Sequence, residues 1–269
     1  MCNLNTLEDY YNYWDRFVLN WYMSHKPLPC WTENDINNSA QVSGDMSNEY
    51  LPEPWWGYNG SGDLSAVVLN TNPGKGGYSQ KKGNLKNFTN YKQYVTKKVN
   101  RFYKNKERKI YNKDNDYVMS TSEWLLTQRA KPLFNAFNSI RNRTVKNILG
   151  VELIPWHSES SQLVETYIDK NLNVIYHKSI RFALLASEKI SVPELRYVVF
   201  ARVSKNRINR ILKKYNGSNF KSDEIDTNIY KIIENNKTYY LIIANGFKNG
   251  LSKKEKLIKY VGKLPKRIP

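Results

Sequence analysis

Four short apolar runs in this chain break off abruptly into loop-forming residues, and each gives way to a helical or helix-capping stretch. This alternation limits the fold more than any other feature of the sequence. The runs are Ser65-Ala66-Val67-Val68-Leu69, Ile148-Leu149-Gly150-Val151-Glu152-Leu153-Ile154, Arg196-Tyr197-Val198-Val199-Phe200-Ala201-Arg202-Val203 and Tyr240-Leu241-Ile242-Ile243-Ala244. Each reads as a buried strand. Their succession predicts an α/β protein: a single three-layer α/β/α domain with a short, mostly parallel four-stranded sheet and an N-terminal helical extension. In open sheets of this kind ligands bind outside the carboxyl ends of the strands. The chemistry is therefore expected in the loops after these runs.

The first of those loops, Asn70-Thr71-Asn72-Pro73-Gly74-Lys75-Gly76-Gly77-Tyr78, is the most unusual, because the apolar run turns without transition into Asn, Pro and Gly. The second, Pro155-Trp156-His157-Ser158, again places polar groups at a strand end. His157 suits either a reacting group or a structural histidine that caps the strand. After the last strand, Asn245-Gly246-Phe247-Lys248-Asn249-Gly250-Leu251-Ser252 leads into a closing helix that runs to about Val261. Asn235-Asn236-Lys237, between Ile229–Glu234 and the final run, predicts a hairpin.

Ahead of the first strand, Leu7, Tyr10, Tyr11, Trp14, Phe17, Val18, Trp21 and Tyr22 recur at three- and four-residue spacing and form one apolar helical stripe, which reads as core. The chain then turns irregular to residue 62. Leu51-Pro52-Glu53-Pro54-Trp55-Trp56-Gly57 is too apolar for a plain linker, and Trp55 or Trp56 either walls a pocket or simply packs. Two units are expected: residues 1–50 as a helix and irregular extension on the core, and residues 51–269 as the α/β domain with a basic insertion at 75–120.

Charge points to a polyanionic partner. The net charge is +18, and residues 75–113 carry thirteen Lys or Arg against one Glu, so +12 of that excess sits beside the first loop. Aromatic residues are interleaved with these cations, as a surface that contacts phosphates and stacks on bases requires. A solvated helix face would show the same charges. Cys2 and Cys30 are too few for a disulfide framework or a cysteine zinc site, and the three histidines lack ligand spacing. No run is long enough to span a membrane and the N-terminus lacks a signal-peptide pattern. The expectation is a cytoplasmic, reduced monomer that needs no cofactor or metal and binds a polyanion such as nucleic acid, single- or double-stranded.

The strand-end motifs resemble the uracil-DNA glycosylase superfamily, in a divergent branch with an Asn-Pro-Gly first motif. Asn70-Thr71-Asn72-Pro73-Gly74 is similar to the Gly-Ile-Asn-Pro-Gly of the mismatch-specific branch and the Gly-Gln-Asp-Pro-Tyr of the main branch. Asn249-Gly250-Leu251-Ser252 looks like the end of the closing His/Asn-Pro-Ser-Xaa-Leu-Ser motif, and the Trp156-His157 loop falls where the middle motif lies. The resemblance spans residues 51–262. It implies a base flipped from DNA into a pocket at the strand ends and hydrolysis of its N-glycosidic bond. Asn72 falls where the family orients the attacking water, with His157 as the second catalytic candidate.

The base pocket then comprises Asn70, Thr71, Pro73, Gly74, Tyr78, Trp156, Ser158, Asn245, Phe247 and Asn249. DNA contacts are expected from Lys75, Lys81, Lys82, Lys86, Lys97, Lys98, Arg101, Ser252 and Lys253. In the family's main branch a Tyr at the position of Gly74 excludes 5-substituted bases, so the resemblance favours a modified or mismatched pyrimidine over uracil, in DNA repair or in defence against phage with modified DNA. Phe247 stands at the family's His/Asn position and cannot hydrogen-bond a departing base; His157 or Asn245 would have to act instead. A nucleic-acid-binding protein that keeps the fold without the chemistry is the alternative. An enzyme on free nucleotides, using Gly74-Lys75-Gly76-Gly77, is disfavoured because that loop lacks the Gly-Lys-Ser/Thr ending of a P-loop.

Overall fold

The computed structural model describes residues 4–24, 54–58, 60, 62–71, 93, 148–155, 173–215, 219–244 and 254–265. In chain order these hold helix α1 (Leu7–Ser24) and strands β1 (Trp55–Gly57), β2 (Ala66–Asn70) and β3 (Ile148–Glu152). Helix α2 (Asn173–Ser187), strand β4 (Val198–Ala201) and helix α3 (Lys205–Tyr215) follow. Strands β5 (Phe220–Asp226), β6 (Ile229–Glu234) and β7 (Lys237–Ile243) and helix α4 (Lys254–Gly262) complete the set.

One sheet runs through the molecule in the order β1-β3-β2-β4-β7-β6-β5. Its centre is parallel: β3 pairs with β2, β2 with β4, and β4 with β7. The flanks are antiparallel, β1 on β3 at one end and β7-β6-β5 at the other. The short, mostly parallel four-stranded sheet expected from the sequence is thus corrected to a mixed sheet of seven strands, with three parallel and three antiparallel pairings. The four apolar runs form the parallel centre, because strands buried on both faces read as unbroken apolar stretches. β5 escapes that criterion: Phe220-Lys221-Ser222-Asp223-Glu224-Ile225-Asp226 is largely exposed along the sheet edge, where charge blunts unwanted pairing. β1, at three residues, is too short to show a period.

The hairpin between β6 and β7 turns on Asn235 and Asn236, whose φ values of 49° and 62° give two consecutive left-handed residues, as a two-residue type I′ loop requires. Asn is one of the few non-glycine residues that tolerates this region.

α2 is the crossover between β3 and β4 and packs on β2, β3 and β4. Its Ile180, Phe182, Ala183 and Leu184 are buried. α1 lies against α2: Tyr10 stacks on Phe182 at 5.6 Å, and Tyr11 meets Phe182 and Trp55 edge-on at 5.2 and 4.8 Å. The Tyr11 hydroxyl donates to the carbonyl of Tyr58 at 2.8 Å. The start of α1 is a capping box in which Thr6 Oγ1 accepts from the Asp9 N–H and the Asp9 carboxylate accepts from the Thr6 N–H. Tyr10, Tyr11, Trp14, Phe17 and Val18 of the predicted stripe are buried, joined by Tyr13. Trp21 and Tyr22 have side chains outside the described residues. Among the described residues no helix is long and apolar enough to cross a membrane.

Candidate active site at the carboxyl ends of β2 and β3

β2 is followed in the chain by β3 on one side of it and by β4 on the other, so the order of the parallel block is 2-1-3-4 in its own counting. Where two successive connections leave a strand in opposite directions, the loops part and a crevice opens at the carboxyl edge. Here that switch point lies between β2 and β4. It is flanked by Asn70-Thr71 on β2 and by Arg202-Val203-Ser204, which carries β4 into α3.

The register decides which side chains share a face. Asn70 pairs with Glu152, Val68 with Gly150, and Gly150 with Trp56. Side chains directly across a ladder point to the same side, and alternate residues of one strand do too. Trp56, Gly150, Glu152 and Asn70 therefore occupy one face, opposite the face on which Trp55 meets Tyr11. Gly150 matters here for what it lacks. A Cβ built on it would lie 1.8 Å from Trp56 Cε2 and 2.3 Å from Trp56 Nε1, so only glycine lets the indole cross β3.

The crossing indole reaches Glu152. Trp56 Nε1 donates to Glu152 Oε1 at 3.0 Å, and Asn70 Nδ2 donates to the same oxygen at 3.0 Å. Glu152 is 0% exposed and Asn70 3%. Glu152 Oε2 and Asn70 Oδ1 have no hydrogen-bond partner among the described residues, so the pair presents two further acceptor atoms. Burial pushes the Glu152 carboxyl from its ordinary 4.5 up to about 7, against the downward pull of the Trp56 and Asn70 donors and the Arg202 charge. A carboxyl balanced near neutrality can both take and give a proton at working pH.

The backbone around this pair is tied down. Leu153 N–H donates to Asn70 O and Ile154 N–H to Thr71 O, both at 3.0 Å, which carries the β2–β3 pairing past the strand ends. Arg202 N–H donates to Leu69 O at 2.7 Å, and Ala244 N–H to Ala201 O at 2.7 Å. All four parallel strands consequently end at one edge of the sheet.

Of the residues singled out by sequence, Asn70 and Thr71 lie within the described residues and stand at this edge. Asn72, Pro73, Gly74 and Tyr78, Trp156, His157 and Ser158, and Asn245, Phe247 and Asn249 lie outside them. So do Lys75, Lys81, Lys82, Lys86, Lys97, Lys98, Arg101, Ser252 and Lys253. Trp55 and Trp56, for which a pocket wall and plain packing were both open, are buried; Trp55 packs, and Trp56 packs and also donates to Glu152.

Glu152 is the residue that sequence reasoning passed over. Its signal was a lone carboxylate inside an otherwise apolar run, which gains meaning only once the register sets it against Asn70. No known protein family, curated protein or solved structure matches the chain. The site must therefore be read from its own chemistry. Among the described residues no group of three or more His, Cys, Asp or Glu could hold a metal ion.

One consequence can be measured on the isolated protein. Trp56→Phe keeps an aromatic ring over Gly150 and deletes the N–H that favours the charged carboxylate. The Glu152 carboxyl is expected to titrate higher by about one unit, the equivalent of one hydrogen bond to a charge. Carbon-detected NMR of the glutamate carboxyls across pH 5 to 9 (roughly, bracketing the raised value) reads it. An unmoved titration would show that the indole N–H does not reach the carboxylate.

Proposed function

We propose that the protein is a DNA glycosylase that hydrolyses the N-glycosidic bond of a flipped-out pyrimidine, uracil or a modified or mismatched base. The observation that carries this reading is the buried Glu152–Asn70 pair, held at neighbouring parallel strand ends two residues before Asn72. Asn72 orients a water molecule towards C1′ of the deoxyribose. The water oxygen bonds to C1′ as the glycosidic bond breaks, the water's proton passes to Glu152, and the base leaves with the bonding electrons as an anion. Asn70 and Trp56 hold the carboxylate in place while it waits for that proton, and its position near neutrality suits a general base. The strongly basic 75–113 tract follows the first loop directly and offsets the cost of unstacking the base, a few kcal/mol. Gly74 leaves room for a 5-substituent, which favours a modified or mismatched pyrimidine over uracil.

The test is incubation of the protein with DNA duplexes and single strands that carry candidate bases, followed by alkaline cleavage at abasic sites. Wild type should break at least one of them, and Asn72→Ala should lose at least about 100-fold in rate. Full activity in Asn72→Ala would refute the role given to that loop.

A second reading has its own observations. Phe247 cannot serve a departing base, and a fully buried carboxylate shared by two donors also ties strands together without any chemistry. On this reading the protein retains the fold and binds nucleic acid only, and DNA binding survives Asn72→Ala unchanged.

A further inference from the structure

α3 leaves the switch-point crevice directly after β4, and its eleven residues, Lys205-Asn206-Arg207-Ile208-Asn209-Arg210-Ile211-Leu212-Lys213-Lys214-Tyr215, include five cations and no acid. Its buried side is Arg207, Ile208, Ile211 and Leu212, which seat the helix against α2 and β5. Its exposed side is Asn206, Arg210, Lys213 and Lys214. Arg210, Lys213 and Lys214 stand at i, i+3 and i+4 and so form one cationic face. A helix surface that serves solubility mixes both signs, usually as Glu–Lys pairs one turn apart, and this helix has none. Lys213 and Lys214 also complement the C-terminal end of the helix dipole.

The remaining cation has a different task. Lys205 pairs with Glu224, whose other oxygen accepts from Tyr230, so the first turn is spent on anchoring α3 to β5 and β6. Counted from Lys205, Arg210 lies about 8 Å and Lys214 about 14 Å along the helix axis.

We infer that the Arg210-Lys213-Lys214 face of α3 is a docking surface for the phosphate backbone of a nucleic acid whose reacting nucleotide lies at the β2–β4 crevice. The occupant follows from charge: three cations in one helical row with no interspersed acid match a row of phosphates, and their contacts are sequence-independent. This surface adds to the 75–113 tract and holds with or without base release, so it extends the glycosylase reading without depending on the chemistry.

The experiment measures the affinity of a fluorescent DNA duplex by anisotropy over a salt series. It compares wild type, the triple variant Arg210→Gln, Lys213→Gln, Lys214→Gln, and Lys189→Gln, an exposed residue at the opposite edge of the sheet. All three side chains of the triple variant are exposed, so the fold is retained, which circular dichroism verifies. The expected result is a log–log salt slope shallower by about 2 to 3 in the triple variant, at least about tenfold weaker binding near 100 mM salt, and no change in Lys189→Gln. An unchanged slope in the triple variant would overturn the docking surface and leave the DNA reading standing. No duplex binding by wild type would overturn both. Binding to phosphatidylserine vesicles that depends on these three residues, without duplex binding, would replace the nucleic acid with an anionic membrane.

Discussion

Glu152→Gln is expected to fold, to become the more stable protein above neutral pH, and to lose base release by at least about 100-fold. Glutamine presents the same Oε1 to Trp56 and Asn70, so both hydrogen bonds persist. What it removes is the titration. The wild-type carboxyl is raised from 4.5 to about 7 by burial. The folded state therefore binds the proton more tightly than the unfolded chain. The resulting stabilisation is fully present below about pH 4.5 and is lost as pH rises through about 7. Between those limits wild type should lose roughly 3 kcal/mol of stability relative to Glu152→Gln. Urea unfolding of both proteins at pH 5 and pH 8 or so reads the difference, and parallel curves would show that Glu152 ionises normally. The coupling of higher stability to lost activity is the mark of a strained functional group, whereas a structural tie would give the stability change alone.

Gly150→Ala should be the most destabilising single methyl in the described sheet. The added Cβ meets the indole of Trp56 at 1.8 and 2.2 Å, contacts that no real structure keeps. Either the Trp56 ring leaves its place between Gly150 and Glu152, or β3 shifts against β1. Overpacking of this kind costs about 1 to 3 kcal/mol, and loss of the Trp56–Glu152 hydrogen bond adds about 1 to 2. Equilibrium unfolding measures the cost, and a double-mutant cycle assigns it. In a Trp56→Ala background the alanine at 150 no longer meets the indole and should cost less than about 1 kcal/mol. An equal cost in both backgrounds would place the penalty in the strand itself and not in the indole crossing.

The parallel centre of the sheet was legible because burial on both faces leaves strands such as Ala66–Asn70 and Val198–Ala201 almost wholly apolar. α1 was legible from its aromatic period, and the β6–β7 turn from two asparagines between strand-like runs. β5 was not, since Lys221, Ser222, Asp223 and Glu224 carry neither alternation nor an apolar run; its pairing with β6 comes from the tertiary fold. At the site, the position of Asn70 and Thr71 at a strand end could be read from the abrupt change of composition. Glu152 could not, because its role depends on standing opposite Asn70 across a ladder between strands some eighty residues apart. Trp56 needed a further long-range fact, the glycine at 150 that lets its ring pass.

The most direct measurement of the central claim is detection of the free base. Mass spectrometry of the small molecules released from DNA carrying uracil, mismatched pyrimidines and 5-substituted pyrimidines should find one of them set free by wild type, at a rate that rises with pH through about 7 and collapses in Glu152→Gln. No released base from any of these substrates, under conditions where the protein binds the DNA, would contradict it and leave a nucleic-acid-binding protein without glycosidic chemistry.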